Sequence, residues 1–240
     1  MTARSDEFVI VEVSGLHTAI PTDVAAAMET YRAIPGCALI VHTETTDAHL
    51  DAMRAEGWRL FRVREMVLAW RTDTFDAERM FDLRLTDIGW RVGRISRDGV
   101  TAACAKLHHL PSGSVGVVYG LHWPSGLAQF LVRLRAHRQV CKALASEVAG
   151  RAKRHPERWQ IAAGDTNVDH RRASVRRRMS KALGLKDVWS GDVPHEGSHG
   201  KRLIDAAYVR GLDVRDAWVL PKNDSSDHRA IAVRVRLAKH

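Results

Sequence analysis

Short runs of apolar, often β-branched residues recur along the chain and are separated by Gly, Pro, Asp and Ser. Runs of this kind, bounded by turn residues, are typical of buried β-strands. They predict strands at residues 8–13, 37–41, 58–64, 66–71, 100–107, 159–163, 203–209, 217–220 and 231–237. Residues 84–95 alternate only weakly, and several Gly and Ser residues favour a loop at 111–124.

Other segments carry helical signals. The pattern predicts helices over residues 22–32, 46–57, 127–148 and 173–183. In the longest of them the apolar residues fall near one stripe, which is typical of a helix packed on a core. Strands interspersed with outer helices predict one α/β domain over residues 1–240.

Composition narrows the class of protein. The 240 residues are 45% hydrophobic and 27% charged, which indicates a globular chain. No apolar run reaches about 18 residues, so no membrane span is predicted. Residues 1–20 lack the pattern of a secretory signal. The three cysteines form no CxxC pair, which excludes a disulfide framework and a zinc knuckle. We therefore expect a cytoplasmic, reduced setting.

Charge is unevenly distributed. The formal net charge is +9, but residues 1–100 hold 12 basic and 16 acidic residues, whereas residues 101–240 hold 25 basic and 12 acidic residues. This asymmetry favours a polyanionic partner. The densest basic segment supplies candidate phosphate contacts at Arg171, Arg172, Arg176, Arg177, Arg178 and Lys181. The alternative is a solvated helix face.

Side chains that can bind metal ions or transfer protons recur where predicted strands end or begin, and α/β folds place their ligands at such positions. Carboxylate and amide oxygens suit Mg²⁺ or Mn²⁺, whereas His109 and His228 could transfer protons near neutral pH. The oxygen donors are Glu44, Asp165, Asn167, Asp205 and Asp227.

Several short motifs share one order along the chain. They are Glu44 after the second strand, His109-Leu110-Pro111, Gly164-Asp165-Thr166-Asn167, Arg202-Leu203-Ile204-Asp205 and Ser226-Asp227-His228. Together they resemble the signatures of the endonuclease/exonuclease/phosphatase superfamily, which includes DNase I-like and exonuclease III-like nucleases. The resemblance implies a four-layered α/β/β/α sandwich with two packed mixed β-sheets, and a monomer.

The resemblance also implies roles. Glu44 and Asp227 would hold Mg²⁺ or Mn²⁺, and His228 would be the general base. His109 would be the general acid. Asp165, Asn167 and Asp205 would position the water and the phosphate. The implied reaction is phosphodiester hydrolysis, with DNA favoured over RNA as the nucleic-acid substrate.

One position departs from the family pattern. The first strand of the family carries a metal-binding Asn, and alignment on Gly15-Leu16 places Glu12 there. A carboxylate can still bind a hard cation, so Glu12 joins the candidate metal ligands. Two other functions stay open at this point. One is hydrolysis of a small or lipid phosphoester on the same fold, and the other is nucleic-acid binding by a degenerate site.

Overall fold

The computed structural model describes residues 6–15, 19–88, 90–92, 95–97, 99–123, 130–154, 159–191, 193–223 and 226–238. The helices are α1 (Pro21–Arg32), α2 (Phe130–Arg154) and α3 (Ala173–Leu183), with short 3₁₀ helices at Asp47–His49 and Val188–Ser190. The strands are β1 (Glu7–Val13), β2 (Cys37–His42), β3 (Trp58–Val63), β4 (Met66–Arg71), β5 (Phe75–Thr86), β6 (Trp90–Val92), β7 (Ile95–Arg97), β8 (Val100–His109), β9 (Ser114–His122), β10 (Trp159–Asp165), β11 (Lys186–Asp187), β12 (Asp205–Arg210), β13 (Leu212–Val219) and β14 (Ile231–Leu237).

Two six-stranded mixed sheets form the centre of the molecule. The first has the order β13-β14-β1-β2-β4-β3, and the second has the order β11-β12-β10-β9-β8-β5. Each sheet has one parallel pair at its middle, β1 with β2 and β9 with β10, and the other pairs are antiparallel. Strands β6 and β7 form a separate hairpin.

Three apolar clusters explain the layering. The largest lies between the sheets and contains residues such as Ile10, Leu68 and Ile161. A second packs α2 and α3 on the outer face of the second sheet, and a third packs α1 on the outer face of the first. Burial of apolar surface on both faces of each sheet yields the α/β/β/α sandwich. This confirms the predicted fold class.

Five strands were not predicted from the sequence, namely the short β6, β7 and β11 and the long β5 and β9. Strand β5 has mostly exposed or half-buried positions, so it lacks a clear apolar run. Strand β9 lies in the segment predicted as a loop because Gly116 and Gly120 interrupt it. A Cβ at Gly116 would lie 2.0 Å from the Trp159 ring, and one at Gly120 would lie 3.0 Å from Leu68. These glycines therefore mark close packing inside a strand, not a turn.

Other differences concern the ends of elements. The segment predicted as a helix over 46–57 forms only the 3₁₀ turn Asp47–His49. Helix α2 covers residues 130–154, whereas the prediction begins at 127, outside the described residues. No helix in the described ranges combines the length and apolar character needed to cross a bilayer.

Candidate active site

The candidate site lies where the parallel strands of both sheets end. In the second sheet, Asp165 is paired across strands with His122 on β9 and with Asp205 on β12. In the first sheet, Glu12 ends the pairing of β1 with β14, and Glu44 lies just after β2. The two sheets thus bring to one edge residues that are far apart in sequence.

Glu12 is buried and forms the floor of the site. Its Oε1 accepts a hydrogen bond of 2.6 Å from Ser14 Oγ, which in turn accepts one of 2.7 Å from Thr43 Oγ1. Its Oε2 is buried without a hydrogen-bond partner. Burial, and then the Asp205 carboxylate, raise the pKa of Glu12 well above its usual range, whereas the Ser14 bond opposes this. The unpartnered oxygen is available to a cation.

Asp165 and Asn167 form a compact pair after β10. The Asn167 backbone N donates to Asp165 Oδ1 at 2.7 Å, and its Nδ2 donates to Asp165 Oδ2 and to the Trp123 carbonyl, both at 3.0 Å. The φ of Asn167 is +54°, a left-handed conformation that Asn tolerates better than most residues. The two side chains therefore meet through a turn that follows β10.

The carboxylates of Asp165 and Asp205 lie directly opposite each other on the neighbouring strands β10 and β12. Like charges in this register are unfavourable unless something compensates them. Burial, and then the Asp205 carboxylate, raise the pKa of Asp165 to about 7, although His122 and His228 act in the other direction. The arrangement favours a cation or a protonated histidine nearby.

His228 is held by Asp205. The distance from His228 Nδ1 to Asp205 Oδ2 is 2.8 Å, and both side chains are buried. Burial alone would lower the pKa of His228, but the charge and hydrogen bond of Asp205 raise it to about 9. The Ser226 hydroxyl accepts the His228 backbone N–H at 2.9 Å and donates to the Ser14 carbonyl at 2.7 Å. The loop that carries His228 is thereby fixed to β1.

A second histidine, His122, lies across the cluster. Its Nδ1 is 3.2 Å from Glu65 Oε1, and its Nε2 is 3.5 Å from Glu44 Oε1 and 4.0 Å from Asp165 Oδ2. Burial alone would lower the pKa of His122, but the Glu65 hydrogen bond and the charges of Asp165 and Glu44 raise it. Among the described residues, His122 and His228 are thus each paired with a carboxylate in this cluster.

His122 and Glu65 were missed by the sequence analysis. A signal for His122 was present, because the apolar stretch 115–121 ends at this histidine just as the other strands end at site residues. Glu65 lies in the tight turn between β3 and β4 and carries no motif of its own. Only the fold brings it near His122.

The structure does not bring His109 into this cluster. His109 is paired with Ser114 at the start of β9, whereas His122 is at its end. Eight residues of strand separate the two positions, which corresponds to about 26 Å. The His109 ring is buried, with centroids 5.6 Å from Phe8 and 5.3 Å from Phe75, and burial lowers its pKa. The structure therefore places His109 outside the cluster around Asp165.

Asp227 lies at the rim of the site, with its side chain 59% exposed. Its Oδ2 is 3.4 Å from Nε2 of His199, and His199 and His228 form an isolated backbone bridge. A Cβ on Gly15 would lie 2.5 Å from Asp227 Oδ1 and 2.9 Å from the His228 ring. Glycine at this position therefore allows the two loops to meet.

The basic segment starts near the site and then leaves it. Arg171 and Arg172 precede α3 and follow Asn167 by only a few residues, and both are exposed. The rest of α3 packs over the outer face of the second sheet, with Ser180 bonded to Asp187 of β11. Arg171 and Arg172 precede the helix, whereas Arg176, Arg177, Arg178 and Lys181 lie along it. Arg176 Nη1 donates back to the carbonyls of His170 and Arg171.

His170 supports the loop between Asn167 and α3. It is fully buried, its Nδ1 is 2.8 Å from Asp187 Oδ2, and its Nε2 is 2.9 Å from Thr166 Oγ1. Its backbone N–H donates to the Leu203 carbonyl at 2.8 Å. His170 therefore ties the Asp165 loop to the sheet.

Comparison with solved structures supports this assignment of the fold. An endonuclease/exonuclease/phosphatase family protein from Bacteroides thetaiotaomicron superposes with a TM-score of 0.70 at 17% identity, covering 97% of this chain and 98% of the other. A mannosyl-6-phosphatase from the same organism has a TM-score of 0.72 at 16% identity, with 95% and 99% coverage. TDP2 from D. rerio, complexed with a single-strand DNA product, has a TM-score of 0.71 at 17% identity, with 96% and 99% coverage.

Sequence comparison alone gives no such similarity. No protein-family model matches the chain, and no curated protein sequence matches it significantly. Structural likeness at these identities establishes the fold and leaves the activity to be argued from the site. The chain has the endonuclease/exonuclease/phosphatase fold over nearly its whole length.

Proposed function

We propose that the protein is a divalent-cation-dependent phosphodiester hydrolase that acts on nucleic acid, with DNA as the favoured substrate. The observation that carries this proposal is the pair of buried histidines, His122 and His228, placed around the carboxylates Glu12, Asp165 and Asp205. Each histidine is held by a carboxylate of its own, Glu65 or Asp205. Paired acid and base groups around hard oxygen ligands suit phosphoester hydrolysis.

The donor set fits a hard cation. Glu12 Oε2 and Asp205 Oδ1 are buried without hydrogen-bond partners, and the carboxylates nearby repel one another. Glu12 and Glu44 would hold Mg²⁺ or Mn²⁺, with Asp227 at the rim. When bound, the cation would polarise the phosphate and offset the charge that develops on its oxygens.

The residues of the chain have separate tasks in this proposal. His228 accepts the proton of the attacking water through its free nitrogen, while Asp205 fixes the ring and stabilises its charged form. His122, oriented by Glu65, donates a proton to the leaving oxygen. Asp165 and Asn167 position the water and the phosphate between the two histidines. The role first assigned to His109 thus passes to His122.

Charge supports a polyanionic substrate. Residues 101–240 carry 25 basic and 12 acidic residues, and Arg171 and Arg172 are exposed beside the Asn167 loop. Arginine forms bidentate contacts with phosphate, so these two side chains are the first candidates for contacts to the flanking backbone. A similar structure, TDP2 from D. rerio, is complexed with a single-strand DNA product.

A second candidate is hydrolysis of a small phosphorylated molecule. It is favoured by the similarity to a mannosyl-6-phosphatase, which covers 95% of this chain. The two functions differ in the salt dependence of substrate binding, because a nucleic acid engages several cationic groups at once.

The test uses purified protein with supercoiled plasmid, end-labelled oligonucleotides and a panel of phosphomonoesters, in Mg²⁺, Mn²⁺ or EDTA. We expect cation-dependent cutting of DNA that is lost in Asp165→Ala and weakens steeply as salt increases. Nicked circles would indicate endonuclease action, and shortened ends would indicate exonuclease action. Phosphate release from monoesters without DNA cutting would favour the second function, and no hydrolysis of any substrate would refute both.

A further inference from the structure

A second cluster of metal-binding groups lies at the rim of the cleft. It consists of His199, Asp227 and His228, and one ligand atom from each lies within 4.8 Å of the others. The His199 and His228 ring centroids are 4.7 Å apart. The side chain of His199 is 33% exposed and that of Asp227 is 59% exposed, so the cluster is open to solvent.

The donor atoms of this cluster differ from those of the carboxylate floor. Two imidazoles and one carboxylate are poor ligands for Mg²⁺, which prefers oxygen, but they are typical ligands of zinc. Three protein ligands leave a fourth tetrahedral position for water. We propose that His199, Asp227 and His228 form a site for Zn²⁺ at the rim of the cleft, which shares Asp227 with the proposed Mg²⁺ ligands.

The surroundings of His228 favour metal binding. Its Nδ1 is 2.8 Å from Asp205 Oδ2, which leaves Nε2 as the ligand atom. A histidine that donates one ring N–H to a carboxylate and binds metal with the other nitrogen is the usual arrangement in zinc proteins. The Asp205 bond fixes both the tautomer and the orientation that the metal needs.

The backbone also holds the ligands in place. The bridge between His199 and His228 sets the spacing of the two imidazoles, and the Arg229 N–H donates to the Ser198 carbonyl at 2.6 Å. Ser198 in turn accepts the backbone N–H groups of Ile204 and Asp205 through its hydroxyl. The loop that carries His199 is therefore tied to the strand that carries Asp205.

Arg202 disfavours zinc binding through its contact with His199 in the metal-free protein. Arg202 Nη2 lies 3.3 Å from His199 Nδ1, so the arginine donates to that nitrogen and the ring proton is on Nε2, toward Asp227. Zinc at Nε2 requires the ring proton to move to Nδ1, which breaks the Arg202 contact. Removal of this side chain should therefore strengthen zinc binding.

Occupation of the site has a consequence that rests on the proposed function. Zinc on His228 Nε2 uses the lone pair with which this histidine would accept a proton from water. Bound zinc should therefore inhibit hydrolysis supported by Mg²⁺, and the cleft would respond in opposite ways to the two cations.

The site is tested by direct zinc binding, measured by competition with a chromophoric chelator in buffer without Mg²⁺. Loss of an outer partner of a zinc ligand typically costs about 10- to 100-fold in affinity, so we expect His199→Ala, which removes a direct ligand, to cost about 100-fold or more. His195→Ala removes an exposed histidine of the same loop and should bind zinc as the wild type does. Arg202→Ala should bind zinc more tightly than the wild type.

Zinc binding tests the proposed zinc site independently of the proposed hydrolase activity. Equal zinc affinity of the wild type and His199→Ala, with both folded by thermal melting, would overturn the site. Weaker zinc binding by Arg202→Ala would overturn the tautomer assigned to His199 and the proposed effect of Arg202 on the site. If DNA is hydrolysed with Mg²⁺, zinc should inhibit at concentrations that fill the site, and activation by zinc would overturn the inhibitory role. If no substrate is hydrolysed, the binding measurement still decides whether the site exists.

Discussion

Replacement of His228 by alanine is expected to lower turnover about 10²- to 10⁴-fold, the usual contribution of a positioned general base. His228 is buried, and its ring is held by Asp205 at 2.8 Å. The variant leaves the carboxylates in place, so binding of the substrate and the cation should change much less than turnover. The measurement is single-turnover cleavage of an end-labelled oligonucleotide, with thermal melting as the check on folding.

The pH dependence of the hydrolysis rate provides an independent test of the role of His228. A base must be unprotonated, and Asp205 raises the pKa of His228 to about 9, so the rate should increase as the pH rises toward that value. Asp205→Asn removes the charge that stabilises the imidazolium. The pKa then falls, and the ascending limb should move to lower pH while the maximal rate decreases. Turnover of His228→Ala within tenfold of the wild type would exclude the histidine as the base.

Replacement of Glu12 by glutamine is expected to change the stability and the response to cations in opposite directions. Glu12 is buried, and burial together with the Asp205 carboxylate raises its pKa well above the usual range of a glutamate. When the pKa of a carboxyl is higher in the folded than in the unfolded protein, the protein becomes less stable as the pH rises above the unfolded pKa. Glutamine keeps an oxygen for the Ser14 hydrogen bond without the charge. The cation-free variant should therefore be more stable than the wild type at pH 8, by about 1–3 kcal/mol.

The same substitution removes a ligand from the proposed cation site. Wild-type protein should gain stability when Mg²⁺ is added, because ligand binding to the native state raises the free energy of unfolding. Glu12→Gln should lose most of that gain. Urea unfolding at pH 8 and pH 5, with Mg²⁺ or EDTA, measures both effects. A variant that is destabilised at pH 8 in EDTA and responds fully to Mg²⁺ would show that Glu12 is a structural carboxylate.

The sequence predicted the fold because several short motifs kept one order along the chain. Asp165, Asn167, Asp205 and His228 were each found next to a strand, and the structure brings all four to one edge. The reason is that the ends of neighbouring strands meet wherever the sheet order makes them adjacent. The pattern alone could not give the contacts, because the Asn167 turn and the Asp205–His228 pair depend on packing between distant segments.

The failure to predict β9 and its terminal histidine has one physical origin. Gly116 and Gly120 in β9 were interpreted as loop signals, although both are strand residues that allow close packing against Trp159 and Leu68. Because these glycines predict a loop, the sequence does not mark His122 as the end of a strand. The resemblance implied His109 as the acid, and His109 lies at the opposite end of the sheet. Strand glycines and turn glycines have the same local composition, and only tertiary contacts distinguish them.

The central claim is that hydrolysis takes place at the edge where β9 and β10 end, with His122 as the proton donor. The most direct test is the turnover of one end-labelled oligonucleotide in Mg²⁺ by the wild type, His122→Asn and His109→Asn, with EDTA as the blank. We predict a loss of about 10²- to 10⁴-fold for His122→Asn and a rate within a few-fold of the wild type for folded His109→Asn. Full activity of folded His122→Asn, with the loss in His109→Asn instead, would contradict the account.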